Sequence, residues 1–256
     1  MSSLGTEKAP VAQRVRDWHH AGQAAVCDVI EPWEHGTVVR TSRYPTYYSF
    51  NLVRVEEEPG IDAAGLAAFA GEALAGLEHR RVDFEDIEAA ESRRSELVAL
   101  GWKTTKLVWM HHDRPLPSAT EEVEVSEVPY EAVDELRLAW HLEDFDNSEY
   151  EQFHVAAREV AMMRGVRVLA IHEGDRPIAF AQIERAGTGA EITQVFVHAD
   201  YRAAGRGTAI TRAAIRSASD AEDRWIVADD EDRPKRLYER LGFSPVWRSM
   251  ECLLLR

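Results

Sequence analysis

Apolar residues recur along this chain with two periods, and the switches between them mark its elements. Val11, Val15 and Trp18 fall at helical spacing, and Ala25, Val26, Val29 and Ile30 extend the run, which predicts a helix over residues 11–30. The Glu-Pro-Trp-Glu-His-Gly stretch at 31–36 breaks it. Residues 37–40 and 47–55 read as strands, the second rich in Tyr, Phe and Val. A turn at 56–60 leads into an Ala/Leu-rich helix over 61–77, with Asp62 as N-cap. A short strand at 81–87, a helix over 89–100 closed by Gly101 and a strand over 103–110 follow. Residues 111–120, which hold Pro115, Pro117 and Ser118, read as a linker.

Beyond it the pattern predicts a strand at 122–126 and then a helix whose Val133, Leu136 and Trp140 share one face. A polar, acidic segment at 141–150 separates this from a helix over 151–164, stopped by Gly165. Residues 166–172 and 177–185 form a hairpin over Glu173-Gly174-Asp175-Arg176. Strands at 191–197 and 225–228 flank an Ala-rich helix over 208–219, and a helix ending at Gly242-Phe243 precedes a last strand. The fold class is α/β. The order helix, Gly-aromatic, final strand occurs twice: Leu100-Gly101-Trp102 before Leu107-Val108-Trp109-Met110, and Leu241-Gly242-Phe243 before Val246-Trp247. This predicts two related halves, residues 1–115 and 121–256, within which 35–112 echo the second half.

The chemistry concentrates between Ile192 and Ala209. Val195, Phe196 and Val197 end a buried strand, Gly205 and Gly207 allow a sharp turn and a close approach, and a helix starts at Thr208. A helix start carries unpaired N–H groups and positive potential, a ready site for a pyrophosphate. Arg202 and Arg206 add charge there. A dinucleotide fingerprint would need a third glycine, and a P-loop a terminal Gly-Lys-Ser/Thr, and neither is present.

The run Val197-x-x-x-x-Arg202-x-x-Gly205-x-Gly207 resembles the acetyl-CoA loop of the GNAT superfamily of N-acetyltransferases. Ala199 stands where that pattern has Pro, and Ala203 where it has Gly. Leu237-Tyr238-Glu239-Arg240-Leu241-Gly242-Phe243 resembles the Tyr-x-x-x-Gly-Phe segment that closes a GNAT domain, and the resemblance spans roughly residues 123–255. It implies a mixed central sheet flanked by helices in two tandem GNAT-like halves, the first degenerate because no Arg-x-x-Gly-x-Gly precedes residue 202. It also implies acetyl-CoA as co-substrate, held by Val195, Phe196, Val197, Arg202, Ala203, Ala204, Gly205, Arg206, Gly207 and Thr208. The pantetheine would lie between two splayed strands, paired with exposed backbone as a strand would be. Tyr238 is placed as the acid that protonates the leaving thiolate; a Tyr is neutral at pH 7 and can donate. Glu231 and Pro234 replace the Asn and Ala that relatives carry upstream of that Tyr. Glu191, on the strand entering the loop, is the first candidate for the base, with Asp229 and Asp230 next. The acceptor is an amine on a small molecule or peptide. A non-catalytic acetyl-CoA-binding or interaction module of the same fold is the alternative reading.

Composition narrows this further. The 256 residues carry a formal net charge of −15, and residues 121–256 hold 17 Lys/Arg against 27 Asp/Glu. That balance argues against nucleic acid as a partner. No apolar run reaches the ~20 residues of a membrane span, and the first ten residues lack the form of a signal peptide. Two separated cysteines, Cys27 and Cys252, fit a reducing cytoplasm and give no zinc spacing. His19-His20 and His111-His112 are adjacent pairs whose side chains point apart, expected as surface or linker histidines, so no metal is implied. Homo-oligomer formation stays open.

Overall fold

A computed structural model describes residues 8–118, 123–144 and 150–255. The first half runs α1 (Val11–Ala24), β1 (Val29–Trp33), β2 (Gly36–Arg40), a 3-10 turn at Tyr48–Phe50, β3 (Leu52–Val55), α2 (Ala63–Ala73), β4 (His79–Phe84), α3 (Ile87–Ala99) and β5 (Lys103–His112). The second runs β6 (Ser126–Val128), a 3-10 turn at Tyr130–Val133, α4 (Asp134–Asp144), α5 (Tyr150–Met163), β7 (Arg167–Glu173), β8 (Arg176–Ala186), β9 (Gly189–Val197), α6 (Arg206–Ser217), β10 (Asp223–Asp229), α7 (Pro234–Arg240) and β11 (Phe243–Leu255). Local chemistry sets many of the boundaries. Asp62 caps α2 by accepting from the Gly65 N–H, and Asp86 caps α3 through Glu88 and Ala89. Gly242 ends α7 at φ +100°, and a Cβ there would sit 2.7 Å from the Arg114 carbonyl oxygen, so only glycine fits.

The described strands form one open sheet in the order β1-β2-β3-β4-β11-β5-β10-β9-β8-β7-β6. The order is nearly symmetric about its middle. Two pairs are parallel, β3 with β4 and β9 with β10, and they occupy equivalent places in the two halves. The two closing strands are exchanged. β11 lies between β4 and β5, and β5 lies between β11 and β10, all antiparallel. Strands of the first and second halves of the chain are therefore interlaced in one sheet.

Side chains alternate across the sheet and sort the helices by face. On one face, α2 and α3 cover Val53, Val82, Phe84, Met250 and Cys252, while α6 and α7 cover Met110, Ile183, Ile192, Ile226 and Phe243. On the other face, α1 packs Val15 against Trp109, Trp225 and Trp247, and α4 and α5 cover Val168, Phe180 and Phe196.

Several expectations are corrected. The first helix stops at Ala24, and Val29–Trp33 is an edge strand, Pro32 included, as an edge allows. Residues 47–51 are a turn, because Asn51 Nδ2 donates to the carbonyls of Tyr44 and Tyr47 and closes the backbone on itself. The strand expected at 122–126 lies at Ser126–Val128; residues 119–122 and 145–149 are outside the described residues. His111 and His112 belong to β5, not to a linker.

Candidate active site

β9 and β10 pair from Gly189/Asp223 to Ile192/Ile226 and then part. The cause lies in β9: its register against β8 slips between Phe180 and Gln182, and Gln194 takes φ +49°. Such a bulge bends one strand and raises its twist. Val195, Phe196 and Val197 continue along β8, while β10 follows β5 as far as Asp229↔Leu107. A V-shaped gap opens between the two parallel strands. In the first half β3 and β4 stay paired to their ends at Val55/Phe84, and the Glu85 N–H donates to the Val55 carbonyl at 2.8 Å.

At the open end of the V stands the loop into α6. Gly205 is left-handed, φ +75°, and α6 has no side-chain cap, so its first N–H groups face outward. The equivalent helix of the first half, α2, is capped by Asp62. Ala203 is also left-handed, at φ +64°, and Arg202, Ala203, Ala204 and Gly205 are exposed. The arginines anchor the loop. Arg202 Nε donates to the Val197 carbonyl at 3.0 Å and pairs with Glu143, while Arg206 donates to the Tyr201 carbonyl at 3.2 Å. Gly207 faces inward, where a Cβ would meet Leu237 at 3.5 Å and Val197 at 3.8 Å. Thr208 lies half-buried in the first turn. Tyr238, on α7, is buried in the core beneath the loop, edge-on to Phe243, and its hydroxyl has no hydrogen-bond partner among the described residues. Burial pushes its phenol well above the ordinary pKa, so it stays protonated.

On the opposite face of the sheet the bulge borders a cavity of about 410 Å³. Tyr130, Arg137, Trp140, Tyr150, Phe153, His154 and the bulge residue Gln194 line it from the second half. Tyr47, Tyr48, Arg81 and Lys103 line it from the first half, with Glu251 of the exchanged strand β11. Arg81 is held by Asp83 at 2.8 and 2.9 Å and by Glu251, a buried cation between two carboxylates. His154 Nε2 lies 3.5 Å from Asp134 Oδ2, and its Nδ1 lies 3.5 Å from the Tyr150 hydroxyl.

The carboxylates expected as bases are elsewhere. Glu191 does not line the cavity: half-buried, it accepts from Trp18 Nε1 at 2.7 Å. Desolvation, then the neighbouring Glu184, raise its pKa to about 7. Asp230 is clamped by Lys235 and Arg248, and Asp229 accepts from the Glu231 N–H. Glu231, where relatives have Asn, forms a two-point ion pair with Arg94 of the first half. The histidine pairs are not surface residues. Desolvation lowers the pKa of His19, edge-on to Trp109, to about 3, and His20 pairs with Glu85. His111 faces Asp223, and His112 meets the Leu241 carbonyl. The rings of His19 and His20 lie 6.2 Å apart, centre to centre, and the described residues contain no group of three or more His, Cys, Asp or Glu able to hold a metal. No helix among them is long and apolar enough to cross a membrane.

Comparison with known proteins bears on this geometry. Residues 164–245 match the family described as Acetyltransferase (GNAT) domain. That stretch spans the bulge, the V, the loop and Tyr238. The match lies within the second half. Solved structures extend the likeness of fold to nearly the whole chain. A functionally unknown conserved protein from Staphylococcus epidermidis superposes with a TM-score of 0.68 at 14% identity, covering 90% of this chain and 94% of its own. A GCN5-related N-acetyltransferase from Kribbella flavida gives 0.57 at 17%, covering 96% of each chain. Another from Sphaerobacter thermophilus gives 0.51 at 16%, covering 97% of this chain and 86% of its own. At such identities the likeness is one of fold. No curated protein matches the sequence. The GNAT domain supports acetyl transfer as the class of chemistry.

Proposed function

We propose that the chain transfers an acetyl group from acetyl-CoA to a primary amine. The observation that carries this reading is the V between β9 and β10, which joins the uncapped start of α6 on one face to the cavity on the other. N–H groups at 206–208 would take the pyrophosphate, with Gly207 letting the first turn of α6 lie close against Leu237 and Val197. The free edge of β9 at Val195, Phe196 and Val197 would pair with the pantetheine amides. The amine, held in the cavity, attacks the thioester carbon; the C–N bond forms and the C–S bond breaks. Tyr238 gives its proton to the departing sulfur. Its raised pKa suits it to remain protonated until a thiolate forms.

The amine's proton needs a base. Glu191 has a suitable pKa but stands outside the cavity, bound to Trp18. His154 lines the cavity with Nε2 toward Asp134 and Nδ1 toward the Tyr150 hydroxyl, so it would take the amine's proton through that hydroxyl. We assign it the role ahead of Glu191. The first half, residues 1–115, is read as a degenerate partner domain that holds no acetyl-CoA. Support comes from Asp62, which fills the anion position at α2, and from the unopened β3–β4 pair.

Calorimetric titration with acetyl-CoA, followed by thiol release on an amine panel, tests the reading. Tyr238→Phe is expected to keep acetyl-CoA affinity and lose about 10²–10⁴-fold in turnover. Binding without turnover on any amine would favour the non-catalytic module, and wild-type turnover of the variant would remove Tyr238 from the mechanism.

A further inference from the structure

Arg137 is out of charge balance in the cavity. It is 6% exposed, on α4, and its guanidinium lies 3.7 Å from the centre of the Tyr130 ring and 5.0 Å from that of Phe180. An arginine stays charged in proteins, and a buried charge is costly unless paired. Its polar contacts are weak. Nη1 and Nη2 donate to the amide oxygens of Gln194 and Gln182, each at 3.3 Å, and Nε has no hydrogen-bond partner among the described residues. Among the described residues the carboxylate beside it is that of Asp134, 3.9 Å from Nε and shared with His154. Arg81, at the far end of the same cavity, shows what a satisfied cation looks like here: two carboxylates hold it.

We propose that Arg137 binds the carboxylate of the acceptor, which is an α-amino acid with an apolar or aromatic side chain. Position argues for the α-carbon. Arg137 is bonded to Gln194, the bulge residue next to Val195, so an anion on its fork lies beside the point where the V meets the cavity. An amine on the same carbon as that carboxylate reaches the opening; one separated by a long chain would be carried past it. The walls argue for the side chain: Tyr47, Trp140, Tyr150 and Phe153 are aromatic lining residues of the cavity, and of its charged ones Arg81 and Glu251 are paired with each other. Tyr47 packs edge-on to Phe153 at 5.2 Å, so the first half supplies part of the wall that would select it.

This inference deepens the acetyl-transfer reading, but anion binding is testable without it. L-phenylalanine, 3-phenylpropionate and phenethylamine are titrated into the full chain without acetyl-CoA. The two carboxylates are expected to bind about 10- to 100-fold more tightly than phenethylamine, the range of a charge-assisted hydrogen bond. Arg137→Gln is expected to bring L-phenylalanine down to the phenethylamine level. The wild-type ratio decides the matter even where that variant fails to fold, and Arg137→Lys, which keeps charge but not the fork, should fall between. Equal affinity for phenethylamine and L-phenylalanine, no binding of either carboxylate, or a folded Arg137→Gln with undiminished affinity would each overturn the proposal. A parallel acetyl-CoA titration separates the two readings. Carboxylate binding without acetyl-CoA binding leaves the anion site standing and removes acetyl transfer. Acetyl-CoA binding with phenethylamine acetylated as well as L-phenylalanine does the reverse.

Discussion

Ala203 adopts φ +64° in the loop that leads to α6, a conformation that costs an L-residue about 1–2 kcal/mol. Glycine would remove that cost but would free the unfolded chain by about 0.4–1 kcal/mol. The first effect is larger, so Ala203→Gly should raise the melting temperature by roughly 1–3 °C, as calorimetry would show. A lower melting temperature would mean that the Ala203 methyl packs usefully. The motif alone could flag this position as a departure, but not that its backbone is left-handed. Glu191 shows the opposite case. Its place on the strand entering the loop was legible, whereas Trp18, which occupies it from 173 positions away, was not. Its folded pKa of about 7 stands above the ordinary 4.5, so the native state holds a proton that the unfolded state has lost. Its contribution is present below pH 4.5 and is lost as pH rises through 7. His19, with a folded pKa of about 3 against 6.5, works the other way, weakening the fold as pH falls from 6.5 to 3. Glu191→Gln should therefore match wild type near pH 5 and melt higher at pH 8. Parallel melting curves across that range would place the neutral form elsewhere, on Glu184.

Two elements in equivalent places have diverged at their starts. α2 opens on the Asp62 carboxylate, while α6 opens on a left-handed glycine with its N–H groups unclaimed. Gly207, in the first turn of α6, sits between Leu237 and Val197 at ordinary contact distance for a methyl. Alanine fits there and valine does not. Gly207→Val should press on Leu237 and Val197, lower the melting temperature and abolish acetyl-CoA binding by calorimetry, whereas Gly207→Ala should fold and bind. Undiminished affinity in a folded Gly207→Val would remove the phosphate-loop assignment. Elements such as α6, β9 and β10 were legible because periodicity and turn residues coincide in them. β1 was hidden by Pro32, which only an edge position excuses, and the turn at Tyr48–Phe50 by aromatic residues that favour strands. What converted that run to a turn was the Asn51 side chain bonding back to Tyr44 and Tyr47. The bulge at Gln194 has no sequence signature, yet it opens the V and brings Gln194 to the cavity.

Across the whole molecule the repeated helix–Gly–aromatic–strand order disclosed two halves but not that they trade their last strands. Strand exchange depends on pairing between residues more than a hundred positions apart, such as Leu255 with His79 and Asp229 with Leu107, and no local pattern records it. Its consequence is that neither half has a complete sheet alone. A chain beginning at Thr120 would lack β5, leaving facing edges of β10 and β11 unpaired, and β4, leaving the far edge of β11 bare. With β5 and α1 gone, Trp225 and Trp247 lose Trp109 and Val15, and Asp223 loses Arg14. Each buried aromatic so exposed costs on the order of 1.5–3 kcal/mol, and open strand edges template association. That sum is comparable with the entire stability of a domain, ~5–15 kcal/mol. The truncated chain should therefore aggregate or show no cooperative melting, whereas the full chain melts in one transition, since α1 and the exchanged strands couple the halves. Light scattering and differential scanning calorimetry on both chains would check this. A monodisperse truncated chain with the full chain's melting temperature would show that β10 and β11 can close on each other directly, and that the first half serves only as a wall of the cavity.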